Sequence, residues 1–179
     1  PNVDWQSSSA NNIVLVESGK QYKVLTLTDC FEYDEKTYNY YGSYSFTGTK
    51  IEQAVVTAIL NVTTDDKVVV DMIKGNNEQD YSSLKTLLEN NAYQVNEVSL
   101  ATGDFDSNAK IAIMYAPSVD LDEKIVEKLS TWLSNDGKYG RSLIYVPTAD
   151  MDEMPNLDDF LKEWGMSIDR GYVFETDES

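Results

Sequence analysis

At 179 residues, with 41% hydrophobic and 11% aromatic side chains, the chain is long enough to bury a core and is not disordered by composition. Its 31 acidic against 14 basic residues give a net charge of -17, which argues against nucleic acid and anionic lipid, both of which are bound through Lys and Arg on phosphate. With no histidine and a single cysteine, Cys30, it lacks the residues for Ser-His-Asp or Cys-His catalysis, for His-ligated zinc and for an internal disulfide.

Residues 1–12 are polar, include Ser7-Ser8-Ser9, and read as a linker. Residues 13–179 then read as one α/β domain, β-rich over 13–48 and wound over 49–174. Ile13 to Val16 and Tyr22 to Leu27 are β-rich runs about Glu17-Ser18-Gly19-Lys20, which predicts a hairpin or two edge strands. Cys30 lies beside such a strand and is expected to be a small buried residue rather than a nucleophile. Tyr33, Tyr38, Tyr40, Tyr41 and Tyr44 crowd the next segment. They suit either an irregular flap or extra β-ribbon whose rings pack on the core, or a surface for stacking sugars or binding protein. Thr49 with Glu52 has the spacing of a capping box, and Ile51, Ala54, Val55, Ala58 and Ile59 form one apolar face of a helix expected to dock on the sheet.

A valine-rich strand over Lys67 to Ile73 leads into the turn Gly75 to Asp80 and a helix bearing Tyr81, Leu84, Leu87 and Leu88. Strand Val95 to Leu100, a polar stretch and the apolar strand Ile111 to Tyr115 follow. After Ala116-Pro117, Asp120 with Glu123 repeats the capping-box spacing, and Leu121, Ile125, Leu129, Trp132 and Leu133 trace a helix that Asn135-Asp136-Gly137 should end. Ser142 to Val146 returns as a strand, completing a βαβ unit with a right-handed crossover. An acidic loop precedes a last helix with Leu157, Phe160, Leu161 and Trp164, and Ile168 to Phe174 could close the sheet as an antiparallel edge. The pattern predicts a three-layer, doubly wound, mostly parallel sheet of flavodoxin-like outline with an N-terminal hairpin or edge-strand addition. No apolar run approaches the ~20 residues of a membrane span.

Ligands of open wound sheets sit outside the carboxyl ends of the strands. Those ends are expected to carry Asp104, Asp106, Asp120, Thr148, Asp152 and Glu153 besides the turn Gly75 to Asp80. The residues expected to touch a small ligand are Gly75, Asn76, Asn77, Glu78, Asp80, Ser118 and Asp150. So acidic a crevice favours a cation, an amine or a sugar over a phosphate; the competing reading makes Asp80 and Asp120 helix caps and leaves the rest as solvated charge. Asp104-x-Asp106-x-Asn108 opens like a Ca²⁺ loop, yet Ala109 stands where the turn glycine belongs and Tyr115 where the closing carboxylate belongs. No metal site, no cofactor and no catalytic residue is expected. Asp150 with Asp152 has the composition of a glycosidase dyad, though adjacent loop acids are far more often solvated.

The order of Gly75-Asn76-Asn77-Glu78 after one strand, Ala116-Pro117 after another, the Asp120-to-Trp132 helix, Ser142 to Pro147, and Leu157 to Trp164-Gly165 before Gly171-Tyr172-Val173 resembles a known family. It is similar to the soluble domain of GldG-type, gliding-motility-associated auxiliary components of ABC transport systems. The resemblance covers roughly residues 49 to 174. Asn76 stands where that family carries histidine, and Lys138-Tyr139-Gly140-Arg141 is longer than its usual turn. The resemblance implies an outline shared with class I glutamine-amidotransferase-like and ThuA-like domains. It also implies a non-enzymatic, extracytoplasmic binding or scaffolding module, tethered to the membrane by segments outside this sequence, with a permease or another envelope protein as partner and no membrane insertion of its own. A neutral or cationic small ligand or a sugar remains open, and the alternative function is a carbohydrate-active or ThuA-like hydrolase.

Overall fold

The structure, a computed structural model, describes residues 12–148, 151–169 and 171. Its described residues divide into two compact units. The first runs to Lys67 and includes Leu87–Ala92; the second comprises Val68–Thr86 and the chain from Tyr93 onward.

In the first unit, β1 (Val14–Ser18) and β2 (Gln21–Leu25) form the expected antiparallel hairpin, with Gly19 in the left-handed region at the turn. The short helix α1 (Leu27–Cys30) follows, then β3 (Phe31–Tyr33), helix α2 (Glu35–Tyr41) and β4 (Phe46–Thr49), which pairs antiparallel with β3. The helix α3 (Ile51–Thr63) packs on the hairpin. Leu25, Cys30 and Ala58 form the centre of a small core, so Cys30 is a buried packing residue. The capping box expected at Thr49 and Glu52 does not form: Lys50 is the N-cap, its side chain caps nothing, and Thr49 Oγ1 lies a marginal 3.5 Å from the Ile51 N–H.

The second unit contains the parallel sheet, in the order β6 (Gln94–Val98), β5 (Val69–Ile73), β7 (Ala109–Tyr115), β8 (Ser142–Val146). All three pairings are parallel. The helix α4 (Ser82–Asn90) connects β5 to β6, α5 (Glu123–Ser134) connects β7 to β8, and α6 (Pro155–Glu163) follows β8. Since the chain leaves β5 toward β6 and later returns to β7 on the other side, the topological switch point lies between β5 and β7. The doubly wound α/β architecture read from the sequence is therefore the observed one.

Side chains alternate across a strand, and the registers place Ile73, Val98, Ala112 and Met114 on one face. Leu129 and Trp132 of α5 and Leu157, Phe160 and Leu161 of α6 belong to the same core. Trp164, expected in a helical layer, sits at the C-cap of α6, 37% exposed and edge-on to Tyr139. The expected capping box at Asp120 and Glu123 is also absent, because Asp122 is the N-cap of α5. Asp120 caps α6 instead, accepting from the N–H groups of Asn156 at 3.0 Å and Leu157 at 3.1 Å. Asn135 ends α5 in the left-handed conformation, as its position in the sequence suggests. The expected edge strand Ile168 to Phe174 lies largely outside the described residues, and Ile168 and Asp169 are in no strand.

Candidate functional site

The carboxyl ends of β5 and β7 bring together most of the residues expected there. Ser118 and Val119 both donate backbone N–H groups to the Asn76 carbonyl at 3.0 Å, and Gln79 donates to the Ala116 carbonyl at 3.2 Å. Ser118 Oγ donates to the Asn77 carbonyl at 2.9 Å and accepts from Asn77 Nδ2. Left-handed backbone concentrates at this point, in Gly75, Asn77 and Ala116. Such conformations persist only where surroundings over-determine them, and here the cross-loop hydrogen bonds do so.

The turn is closed on itself, which corrects the expectation that its N–H groups and amides face a ligand. Glu78 accepts from the Gly75 N–H at 3.0 Å and the Asn76 N–H at 2.9 Å, and lies 3.3 Å from Asn76 Nδ2. Asn76 itself is 4% exposed. Successive backbone N–H groups form an anion-binding concavity, and here the protein's own carboxylate occupies it. Asp80 caps α4 through the Ser82 N–H and hydroxyl. Asp150 lies outside the described residues, and Asp152 is exposed. Glu78→Ala should strip acceptors from two backbone donors at a partly exposed turn, lowering stability by about 1–2 kcal/mol in urea unfolding. Glu78→Gln should recover part of that.

Beside the turn, Tyr81 donates its hydroxyl to Glu97 at 3.0 Å, with Lys85 and Lys74 at 3.7 and 3.8 Å from the same carboxylate. Burial, and then the Glu97 hydrogen bond and charge, push the Tyr81 phenol from 10.0 up to about 12. The Tyr81 hydroxyl, followed by Lys85 and Lys74, holds Glu97 below the ordinary carboxylate range. A raised folded-state value means that Tyr81 contributes stability below pH 10 that fades as pH climbs toward 12. Urea midpoints measured across that window should therefore fall more steeply for the wild type than for Tyr81→Phe. For Glu97 the sign reverses, with stability present at neutral pH and lost on acidification, and solvent exposure keeps it small.

Asp104 and Asp106, expected with the crevice, belong at the opposite end of the sheet. Asp106 precedes β7, its N–H donates to Asp71 at 2.7 Å, and its carboxylate accepts from the Asn108 N–H at 2.8 Å. Asp104 pairs with Lys128 at 2.9 Å, and Lys128 also donates to the carbonyls of Leu100 and Gly103. Between this loop and α5 opens a groove of about 500 Å³ whose wall includes Phe105, Trp132 and Arg141. Phe105 stacks on Trp132 at 4.5 Å between ring centroids. The Arg141 guanidinium lies 5.3 Å from the Trp132 ring centroid and donates to the Trp132 carbonyl. Sequence reasoning placed Trp132 on an apolar helical face, and nothing local signalled its two ring partners.

The first unit carries a second surface. Tyr38 stacks on Tyr44 at 4.6 Å and Tyr44 on Phe46 at 5.8 Å, with Tyr33 edge-on to both tyrosines. The extra ribbon expected here exists, yet the rings stack on one another and stay at the surface: Tyr40 is 82% exposed and Tyr41 73%. The neighbouring Tyr38 hydroxyl holds the Tyr44 phenol above its ordinary range.

No protein-family model, no curated protein and no solved structure matches the chain. Among the described residues no helix is long and apolar enough to cross a membrane.

Proposed function

We propose that the chain is a non-enzymatic binding and scaffolding domain that docks on a protein. The residues resembling GldG-type components make that partner an ABC-transporter permease or another envelope protein. On this reading the domain works outside the cytoplasm and is held at the membrane by segments beyond this sequence. The supporting observation is the aromatic face of the first unit. Tyr and Phe are enriched at protein interfaces because they supply large, rigid, amphipathic area, and Tyr40, Tyr41, Tyr44 and Phe46 are all exposed. Mutual stacking of Tyr38, Tyr44 and Phe46 consumes ring faces and presents edges and hydroxyls, which suits a protein better than a flat sugar. Glu78 and Ser118 are engaged in hydrogen bonds of the turn and Asp80 in those at the start of α4, so these three are held in structural roles.

The test uses the full-length gene product in its own cells, with a photo-crosslinking amino acid in place of Tyr40. A crosslink to the permease encoded beside the gene, diminished by Tyr41→Ala, is the expected result. A reading frame without flanking apolar spans and without a neighbouring permease would remove the transporter role. Equal crosslinking from an exposed site on the second unit, such as Lys124, would remove the aromatic face.

A further inference from the structure

We propose that the aromatic face of the first unit receives an arginine-bearing, cationic segment of its protein partner, through the open ring faces of Tyr40 and Tyr41 and the carboxylate of Glu35. The inference rests on the docking role proposed above and names the chemistry that the partner brings to it.

Tyr40 and Tyr41 are the part of that face which packing leaves unused. Tyr38, Tyr44 and Phe46 spend their ring faces on one another, whereas Tyr40 and Tyr41 meet edge-on at 4.7 Å between centroids and are 82% and 73% exposed. An edge-on pair leaves ring faces uncovered, and the face of a tyrosine carries the negative part of its quadrupole. Such a face attracts a guanidinium or ammonium group held within about 6 Å of its centroid. Among the described residues no cation of the chain itself lies over either ring; Arg141 lies instead over Trp132, in the second unit.

Charge favours the same occupant. From Thr28 to Thr49 the chain carries Asp29, Glu32, Asp34 and Glu35 against Lys36 alone, within a total of -17. Glu35 is exposed in the first turn of α2, one turn from Tyr38, which is in turn one turn from Tyr41, so carboxylate and rings adjoin on the helix surface. An acidic partner would be repelled here, and a wholly apolar one would bury tyrosine hydroxyls without acceptors. Arginine suits the face better than lysine, because its planar guanidinium stacks on a ring while its N–H fork still reaches a carboxylate or a phenol oxygen.

The test titrates peptides of repeated Gly-Ser-Arg, Gly-Ser-Lys and Gly-Ser-Gln into the chain by isothermal calorimetry. The arginine peptide should bind most tightly, the lysine peptide less so and the glutamine peptide least. Tyr40→Leu and Tyr41→Leu change no charge, and both side chains stand mostly in solvent, so the fold should survive them. Each should weaken the arginine peptide about threefold, the size of one exposed cation–π contact, whereas Tyr40→Phe and Tyr41→Phe, which keep the ring, should each cost less than about twofold. Glu35→Gln should weaken it more than Glu127→Gln, the loss of an exposed carboxylate in the second unit. A chain of net charge -17 attracts polycations generally, so the uncharged substitutions decide. Arginine-peptide affinity unchanged in the double variant of Tyr40→Leu and Tyr41→Leu overturns the proposal. A glutamine or lysine peptide that binds as well overturns it too, as do equal losses from Glu35→Gln and Glu127→Gln. A crosslink from Tyr40 to the permease that persists while the arginine peptide fails to bind would overturn the cationic partner and leave the docking role standing.

Discussion

Asp71→Ala should cost about 2–4 kcal/mol of stability, a large share of the total for a protein of this size. Asp71 is a carboxyl group at 0% exposure in the middle of β5, between Val70 and Met72, which are equally buried. It stands opposite Asn96 of β6 and Ala112 of β7, whose small side chain leaves room for it. It accepts from the Asp106 backbone N–H at 2.7 Å and from Asn96 Nδ2 at 3.2 Å, and so ties the loop before β7 down onto the sheet. Truncation leaves both donors without their acceptor and opens a small void, and each effect is unfavourable. Asp71→Asn keeps one acceptor oxygen and should lose roughly half as much. In a double-mutant cycle, Asp71→Ala and Asn96→Ala should cost less together than the sum of the two, since they share a bond. Urea unfolding of the four proteins measures this. Strict additivity, or an Asp71→Ala loss under ~1 kcal/mol, would mean that the network does not anchor the loop.

Phe160→Ala should lower stability by about 3–5 kcal/mol, the range for emptying a buried aromatic site. Phe160 is 2% exposed on α6, and its neighbours Leu157 and Leu161 on the same helix are buried as deeply, in one core with Leu129 of α5 and Met114 of β7. Helix and sheet elements hold that site rigidly on several sides, so collapse onto the void should be incomplete. For a chain of this length the loss corresponds to roughly 10 °C in Tm. Asp120→Ala acts on the same helix by a different route, removing the acceptor of the Asn156 and Leu157 N–H groups, and should cost about 1 kcal/mol. A Phe160→Ala loss no larger than that of Asp120→Ala would show that α6 is held by its cap rather than by its apolar face.

The sequence by itself determined what depends on periodicity and on turn chemistry. The valine-rich stretch ending at Ile73 and the continuous apolar run at 111–115 marked strands of the sheet, the second covered on both faces because a parallel sheet leaves no side to water. The 3.6-residue spacing of Ile125, Leu129, Trp132 and Leu133 marked α5, and all four are buried. Asn135 was legible as the helix stop because asparagine tolerates the left-handed backbone. The convergence of the Gly75 to Asp80 turn with Ser118 was legible as well, since it follows from strand order at a switch point.

Only the tertiary structure decided which partner each polar group takes. Asp120-x-x-Glu123 fits a capping box locally, yet the loop after β7 delivers Asp120 to α6, some 36 residues along the chain. Glu78 looked like a charge offered to a ligand, yet two N–H groups of its own turn reach it first. Asp71 and Asp106 are 35 residues apart, as no periodic pattern foretells, and Trp132 meets Phe105 and Arg141 only once α5 lies on the sheet. Hydrophobic burial is non-directional and leaves its imprint along the sequence as a repeat. A hydrogen bond needs two atoms within about 3 Å in a fixed direction, and between distant segments that condition is met only when the chain is folded.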